Sequence, residues 1–156
     1  MKHSNFNQFI FKVVSFAARE EEVNKISGLS FFCLSTALCL LFLPKHLAYL
    51  TILYLTFADP IASLIGVRWG EKKIYNNKSY LGFFSFVGTC LIINFCYLIL
   101  NFPTFKSELF LFLSLCSPFI ALSEVYSPFD DNITIPLTSA FLLTILSSLI
   151  NLVPLI

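Results

Sequence analysis

From Leu81 to Phe102 the chain carries no charged side chain. A run of that length leaves few options. About 20 apolar residues in a helix cross the roughly 30 Å hydrocarbon core of a bilayer, and in lipid every backbone polar group has to be satisfied within the segment. Four further apolar runs share the pattern: Leu29–Leu43, His46–Gly66, Leu109–Leu122 and Ile133–Ile156. The runs at 29–43 and 109–122 are short; extension into flanking polar residues, or local thinning of the bilayer, lets such runs span. Composition agrees: 57% of residues are hydrophobic, 12% are charged and mean hydropathy is +0.82, where soluble domains carry about 25% charged residues. These values exclude a disordered chain, a nucleic-acid binder with a basic face and an ordinary soluble enzyme. The expected fold class is all-α: a multi-pass transmembrane helical bundle with about five spans, near 28–43, 46–66, 81–102, 108–123 and 133–156, forming one membrane domain over 1–156.

Residues 1–27 read differently. Phe6, Phe9, Ile10, Val13, Val14 and Ala17 recur at helical spacing, but Asn7 and Lys12 interrupt the stretch and the acidic run Glu20–Glu22 follows it. An N-terminal helix lying in the cytoplasmic interface fits this pattern better than a span or a secretory signal. With the N-terminus inside, the cytoplasmic segments hold Lys2, Lys12, Arg19, Lys25, Arg68, Lys72, Lys73 and Lys78, and the outside loops hold only Lys45 and Lys106. That bias sets the orientation. It puts loops 67–80 and 123–132 together on the cytoplasmic face of an inner membrane. The cysteines, Cys33, Cys39, Cys90, Cys96 and Cys116, sit within apolar runs without a CxxC pair, and read as small apolar fillers.

The chemistry-bearing residues gather at that face. An acid at membrane depth costs several kcal/mol unless it is paired or wet, and Asp59 stands within the second run, next to Pro60. Proline removes a helix hydrogen bond and frees a carbonyl. Asp59, Ala62, Ser63 and Gly66 fall on one small, polar helix face by spacings of three and four. In the loop beyond, Arg68, Lys72, Lys73 and Lys78 oppose only Glu71, a charge pattern suited to the phosphates of a nucleotide or of lipid headgroups. Lys78, Ser79 and Gly82 form K-S-x-x-G at a helix start, where a lysine, a hydroxyl and the helix N-terminal amides can cradle a phosphate. The third patch holds Glu124, Asp130, Asp131 and Asn132. Carboxylates with an amide suit Mg²⁺; the same residues also suit a solvated loop with Asp131 or Asn132 capping the last helix. Cations for phosphate, acids for a metal and one carboxylate for a hydroxyl together make the inventory of phosphoryl transfer.

Four motifs in order resemble the polyprenol kinase family of dolichol kinases, phytol kinases and CTP-dependent diacylglycerol kinases. They are R-E-x-E…S-G-x-S-F (Arg19, Glu20, Glu22, Ser27, Gly28, Ser30, Phe31), Phe57–Gly70, K-S-x-x-G over Lys78–Gly82, and E-x(5)-D-D-N-I-T-I-P over Glu124–Pro136. The resemblance covers about residues 5–140. It implies a membrane enzyme that moves the γ-phosphate of a nucleotide, usually CTP, to the hydroxyl of an isoprenoid alcohol or diacylglycerol, with the family's D-x(6)-G falling on Asp59 and Gly66.

The roles expected on this basis are specific. Arg68, Lys72, Lys73 and Lys78 neutralise phosphate, with Gly66, Ser79 and Gly82 beside it; Asp131 and Asn132, with Glu124, hold Mg²⁺. Asp59 is either a further metal ligand or the group that orients the lipid hydroxyl. Two departures stand out. The family's N-terminal spans, with an Arg-Lys…His element, have no counterpart here, so a longer chain, a partner chain or a homo-oligomer is expected to supply them, or activity is lost and the chain is an inactive membrane subunit. Tyr80-Leu81 also stands where the family often has Leu-Glu. CDP-lipid synthesis of the phosphatidate cytidylyltransferase type is the second enzyme reading, without that lineage's S-P-K-K-T segment. A transporter ranks last, because the polar residues collect at one side rather than at the midplane.

Overall fold

The computed structural model describes residues 28–149 apart from 76, 103 and 105. The interfacial helix expected in 1–27, with Arg19, Glu20, Glu22 and Ser27 of the first motif, lies outside the described residues.

The fold is all-α, as a multi-pass bundle requires. α1 is Gly28–Phe42. α2 runs over Lys45–Trp69: α-helical in Lys45–Leu53, π-helical in Tyr54–Ala58 and α-helical again in Asp59–Trp69. α3 is Tyr80–Asn101, α4 Ser107–Tyr126 and α5 Asp131–Leu149. Among the described residues, α2, α3 and α4 are long and apolar enough to cross a membrane, and α1, with 15 residues, is shorter. Successive helices run up and down. The starts of α1, α3 and α5 therefore meet the ends of α2 and α4 at one end of the bundle.

The π turn has a local cause. Pro60 has no N–H, and its ring crowds the carbonyl four residues back. The helix relieves this by widening, so that the Asp59 N–H reaches Tyr54 O, five residues back. Polar side chains within the bundle pair across helices instead of meeting lipid. Tyr54 Oη donates to Asn94 Oδ1 between α2 and α3, and Ser123 Oγ donates to Thr138 Oγ1 at 2.9 Å between α4 and α5. Around them pack Phe86, Leu98, Ile120, Ile135 and Leu143, all fully buried. Cys39, Cys90 and Cys116 fill the interior, and Cys33 and Cys96 face outward.

The loop between α2 and α3 is more ordered than a polar connection suggests. β1 (Lys73–Tyr75) and β2 (Lys78–Ser79) form an antiparallel hairpin. Asn77 takes the left-handed conformation its turn needs (φ 62°), which asparagine tolerates well. Tyr75 stacks on Tyr126, 5.7 Å between centroids, and fastens the hairpin to α4.

Three glycines let α2, the hairpin and α3 close on each other. A Cβ on Gly66 would lie 3.3 Å from Gly82 Cα, and one on Gly82 would lie 3.1 Å from Ala62 O. At Gly70 there is no room at all: a Cβ would fall 2.1 Å from Ser79 Oγ and 2.3 Å from Gly66 O. Gly88, within α3, has nothing within 4 Å of such an atom. Gly70→Ala is therefore expected to abolish folded, monodisperse protein on detergent extraction, because backbone has to move. Gly88→Ala is expected to raise stability by about 0.5–1 kcal/mol through helix propensity. Thermal melts of the two variants side by side check both; a soundly folded Gly70→Ala protein contradicts the packing.

Candidate active site

Where the helix ends meet, a cleft of about 670 Å³ opens. Asp59, Ala62, Ser63 and Gly66, the face marked out by spacing in the sequence, all line it. So do Lys78, Ser79, Gly82, Glu124, Asp131 and Asn132. Four chain segments thus deliver their motif residues to one place. A second cavity, between the opposite ends of the helices, is only about 40 Å³ and is walled mainly by leucines, with His46 and Tyr97 at its edge.

The floor of the cleft is a charged corner. Asp59, Glu124 and Asp131 each offer a carboxylate oxygen, and these oxygens lie within 4.8 Å of one another. Lys78 Nζ donates to Glu124 Oε1 and, at 2.7 Å, to Asp131 Oδ2. Three carboxyl groups face one ammonium. Asp59 Oδ1 is buried and has no hydrogen-bond partner among the described residues. Burial pulls the Lys78 pKa down, but the Glu124 charge and the hydrogen bonds that Lys78 donates to Asp131 and Glu124 outweigh it, and the net shift is upward. Lys78 therefore stays protonated at neutral pH.

This donor set fits a hard divalent cation. Mg²⁺ takes oxygen ligands at about 2.0–2.1 Å, so ligands on opposite sides stand roughly 4.2 Å apart. The corner has the right atoms, more acids than ammonium groups and one buried oxygen without a partner among the described residues. Its span of at most 4.8 Å is close to that distance.

Other expected residues lie elsewhere. Arg68 is exposed and its guanidinium rests over the Trp69 ring, 5.2 Å from the centroid. Lys72 and Lys73 point outward, and none of these three lines the cleft. The K-S-x-x-G start of α3 is largely occupied by its own fold. Ser79 Oγ accepts from the Gly82 N–H at 3.1 Å and donates to Gly66 O at 3.3 Å, and the Tyr80 N–H bonds Lys72 O at 3.1 Å. Ser79 thus acts as the N-cap of α3. The cap of α5 is neither Asp131 nor Asn132 but Asp130. Its Oδ1 accepts from the Asn132 N–H at 2.9 Å and from Asn132 Nδ2 at 2.8 Å, and its carbonyl accepts the Ile133 N–H. The first of the paired aspartates closes the helix, and this frees Asp131 for Lys78.

CTP-dependent diacylglycerol kinase 1 of Schizosaccharomyces pombe is 31% identical over 151 residues, an alignment covering 88% of this chain and 68% of that protein. The chain belongs to the polyprenol and lipid kinase family. An uncharacterized protein of Rickettsia prowazekii, 29% identical over 153 residues, covers 93% of this chain and 73% of its own length. No protein-family model and no solved structure matches.

For a lipid kinase, the packing of the cleft adds roles that motif reading does not assign. Gly70 closes the Phe57–Gly70 motif without a role there, and in the structure it is the glycine after Trp69 that lets Ser79 approach. The bonds from Lys78 to acids 46 and 53 residues away are another, and no local pattern announces them.

Proposed function

We propose that this chain is a membrane-embedded kinase that transfers the γ-phosphate of CTP to the hydroxyl of a lipid alcohol, diacylglycerol or an isoprenoid alcohol. The reading rests on one observation above the others: Asp59, Lys78, Glu124 and Asp131 share a single corner, and one buried oxygen of Asp59 has no partner among the described residues. The name of the S. pombe relative supports CTP as donor and diacylglycerol as acceptor. The excess of lysine and arginine in loop 67–80 supports a cytoplasmic face for the cleft.

Phosphoryl transfer asks a protein mainly for positioning and for charge against the phosphates. Lys78 has three N–H donors, two of them spent on Glu124 and Asp131, and the third is assigned to a phosphate oxygen. Asp59, Glu124 and Asp131 are the residues to hold Mg²⁺, which when bound supplies positive charge against the triphosphate. The lipid oxygen attacks the γ-phosphorus, the bond from the γ-phosphorus to the β–γ bridging oxygen breaks, CDP leaves with that oxygen and the hydroxyl proton passes to water. Asp59 either orients that hydroxyl or joins the metal set. Arg68, Lys72 and Lys73 meet the membrane surface rather than the transferred group, in keeping with their outward placement.

Labelled CTP tests the proposal. The purified protein in phosphatidylcholine nanodiscs, with diacylglycerol, dolichol and phytol in separate reactions, is given CTP labelled at the γ- or the α-phosphate. Lipid labelled from the γ-position alone is expected. Label from the α-position means cytidylyl transfer, and no label from either, with ATP equally inert, removes the kinase assignment.

A further inference from the structure

The cleft has two kinds of wall. Its floor is the charged corner, and its flank carries Phe32 from α1, Val67 from α2 and Phe83 from α3. The helix packing explains why this flank is open. α1 packs principally on α5 and on the first part of α2, whereas the Asp59–Trp69 stretch packs mainly on α3. Toward the cleft, α1 and the Asp59–Trp69 stretch therefore pack little on each other, and among the described residues a gap lies between them. Val67 stands at the mouth of that gap, 85% exposed. Phe32 and Phe83 are partly buried against the main core, which gives the flank a firm apolar base.

Position in the membrane says what such a gap admits. α2, which bounds the gap, and α3, which carries Phe83, are long and apolar enough to span a membrane, so in a bilayer the gap would face lipid. One cavity is then lined both by an apolar flank and by Asp59, whose buried Oδ1 lacks a partner among the described residues. A molecule that fits both has an apolar chain and a terminal hydroxyl.

We infer that the acceptor lipid reaches the charged corner sideways, from the leaflet, through the gap between α1 and the Asp59–Trp69 half of α2, with Val67, Phe32 and Phe83 holding its first methylenes. This deepens the kinase reading and rests on it for the identity of the reaction. It makes Val67 a positioning residue: it touches the chain of the acceptor and never the phosphate. It also separates the two substrates in space, the nucleotide arriving at the polar side of the cleft and the lipid at the flank.

Val67→Trp fills the gap without disturbing the core, because the native side chain is almost fully exposed. Leu100→Trp, on an equally exposed position at the far end of α3, is the control (82% exposed). Wild type and both variants in phosphatidylcholine nanodiscs are photolabelled, in separate arms, with diacylglycerol carrying a diazirine on an early acyl carbon and with a diazirine phytol. The labelled sites are then mapped by mass spectrometry. In at least one arm, wild-type label is expected to concentrate on residues 28–32 and 63–67, to fall at least fivefold in Val67→Trp and to stay unchanged in Leu100→Trp; which arm does so identifies the lipid class. Transfer assays are expected to show the acceptor KM rising tenfold or more in Val67→Trp, with the CTP KM unmoved. Label spread evenly over the outer faces of α3 and α4, in both arms and insensitive to Val67→Trp, overturns the inference. If no protein transfers γ-phosphate, the kinase reading fails, and the labelling pattern still decides the gap.

Discussion

Asp59→Asn is expected to lower γ-phosphate transfer by about 10²–10⁴-fold, the usual range for losing a positioned acid, base or charge-stabilising group, while the melting temperature holds or rises. The two readouts move apart for a structural reason. Asp59 Oδ1 bonds nothing among the described residues, and the oxygens of Glu124 and Asp131 lie within 4.8 Å of the Asp59 carboxylate. Removing its charge breaks no hydrogen bond among the described residues and relieves repulsion from Glu124 and Asp131, which outweighs the attraction to Lys78. An acid kept for packing behaves in the opposite way: its loss lowers stability and leaves the chemistry alone. Labelled CTP and a thermal melt on the same preparation measure both quantities. Wild-type transfer by the variant would remove Asp59 from the reaction.

The second large effect is expected at Lys78. In Lys78→Met, three carboxylates face one another without a cation. Breaking a buried ion pair by removing one partner costs about 3–5 kcal/mol, and the partial exposure of the lysine, 28% for its side chain, places this case at about 3 kcal/mol. For a chain of this size that is roughly 6–12 °C in melting temperature. Millimolar Mg²⁺ is expected to restore more stability to the variant than to wild type, because no ammonium competes for Glu124 and Asp131. Transfer stays at least 10²-fold down even with Mg²⁺ present, for lack of the N–H assigned to phosphate. The pH dependence has a definite sign. The folded-state pKa of Lys78 is raised, so its contribution is complete below the ordinary lysine value near 10.4 and fades only as pH climbs through the higher folded value. The lysine's own contribution is thus expected to be level from pH 7 to 9. A variant that melts like wild type in EDTA contradicts the charged corner.

Much of the site was legible in the chain, and the way it was legible is instructive. Asp59 stands out because an acid within an apolar run is costly, and Glu124 and Asp131 because they flank such runs. The basic loop misled in part. Arg68, Lys72, Lys73 and Lys78 are alike as charges, yet only Lys78 lines the cleft. The hairpin decides this. Lys73 pairs with Ser79 across it, so the strand bearing Lys78 faces the cleft while Lys72 and Lys73 stay outside, exposed.

The sequence by itself determined the helices and their up-and-down order, because that decision is local. Each uncharged run has to satisfy its own backbone hydrogen bonds in lipid, and its length sets whether it crosses. The same locality reveals which residue types carry chemistry. Which of them meet was left to the tertiary structure. The π turn before Asp59 adds about one residue to the helix, which turns everything beyond it by roughly 100°. The glycines at 66, 70 and 82 then set how near α3 and the hairpin come to α2. The pairing of Lys78 with Glu124 and Asp131, the capping of α5 by Asp130 and the gap beside α1 all follow from those offsets between segments far apart in the chain. A period of 3.6 residues places a side chain on its own helix, but its partners depend on the rotation and height of neighbouring helices, which no local pattern contains.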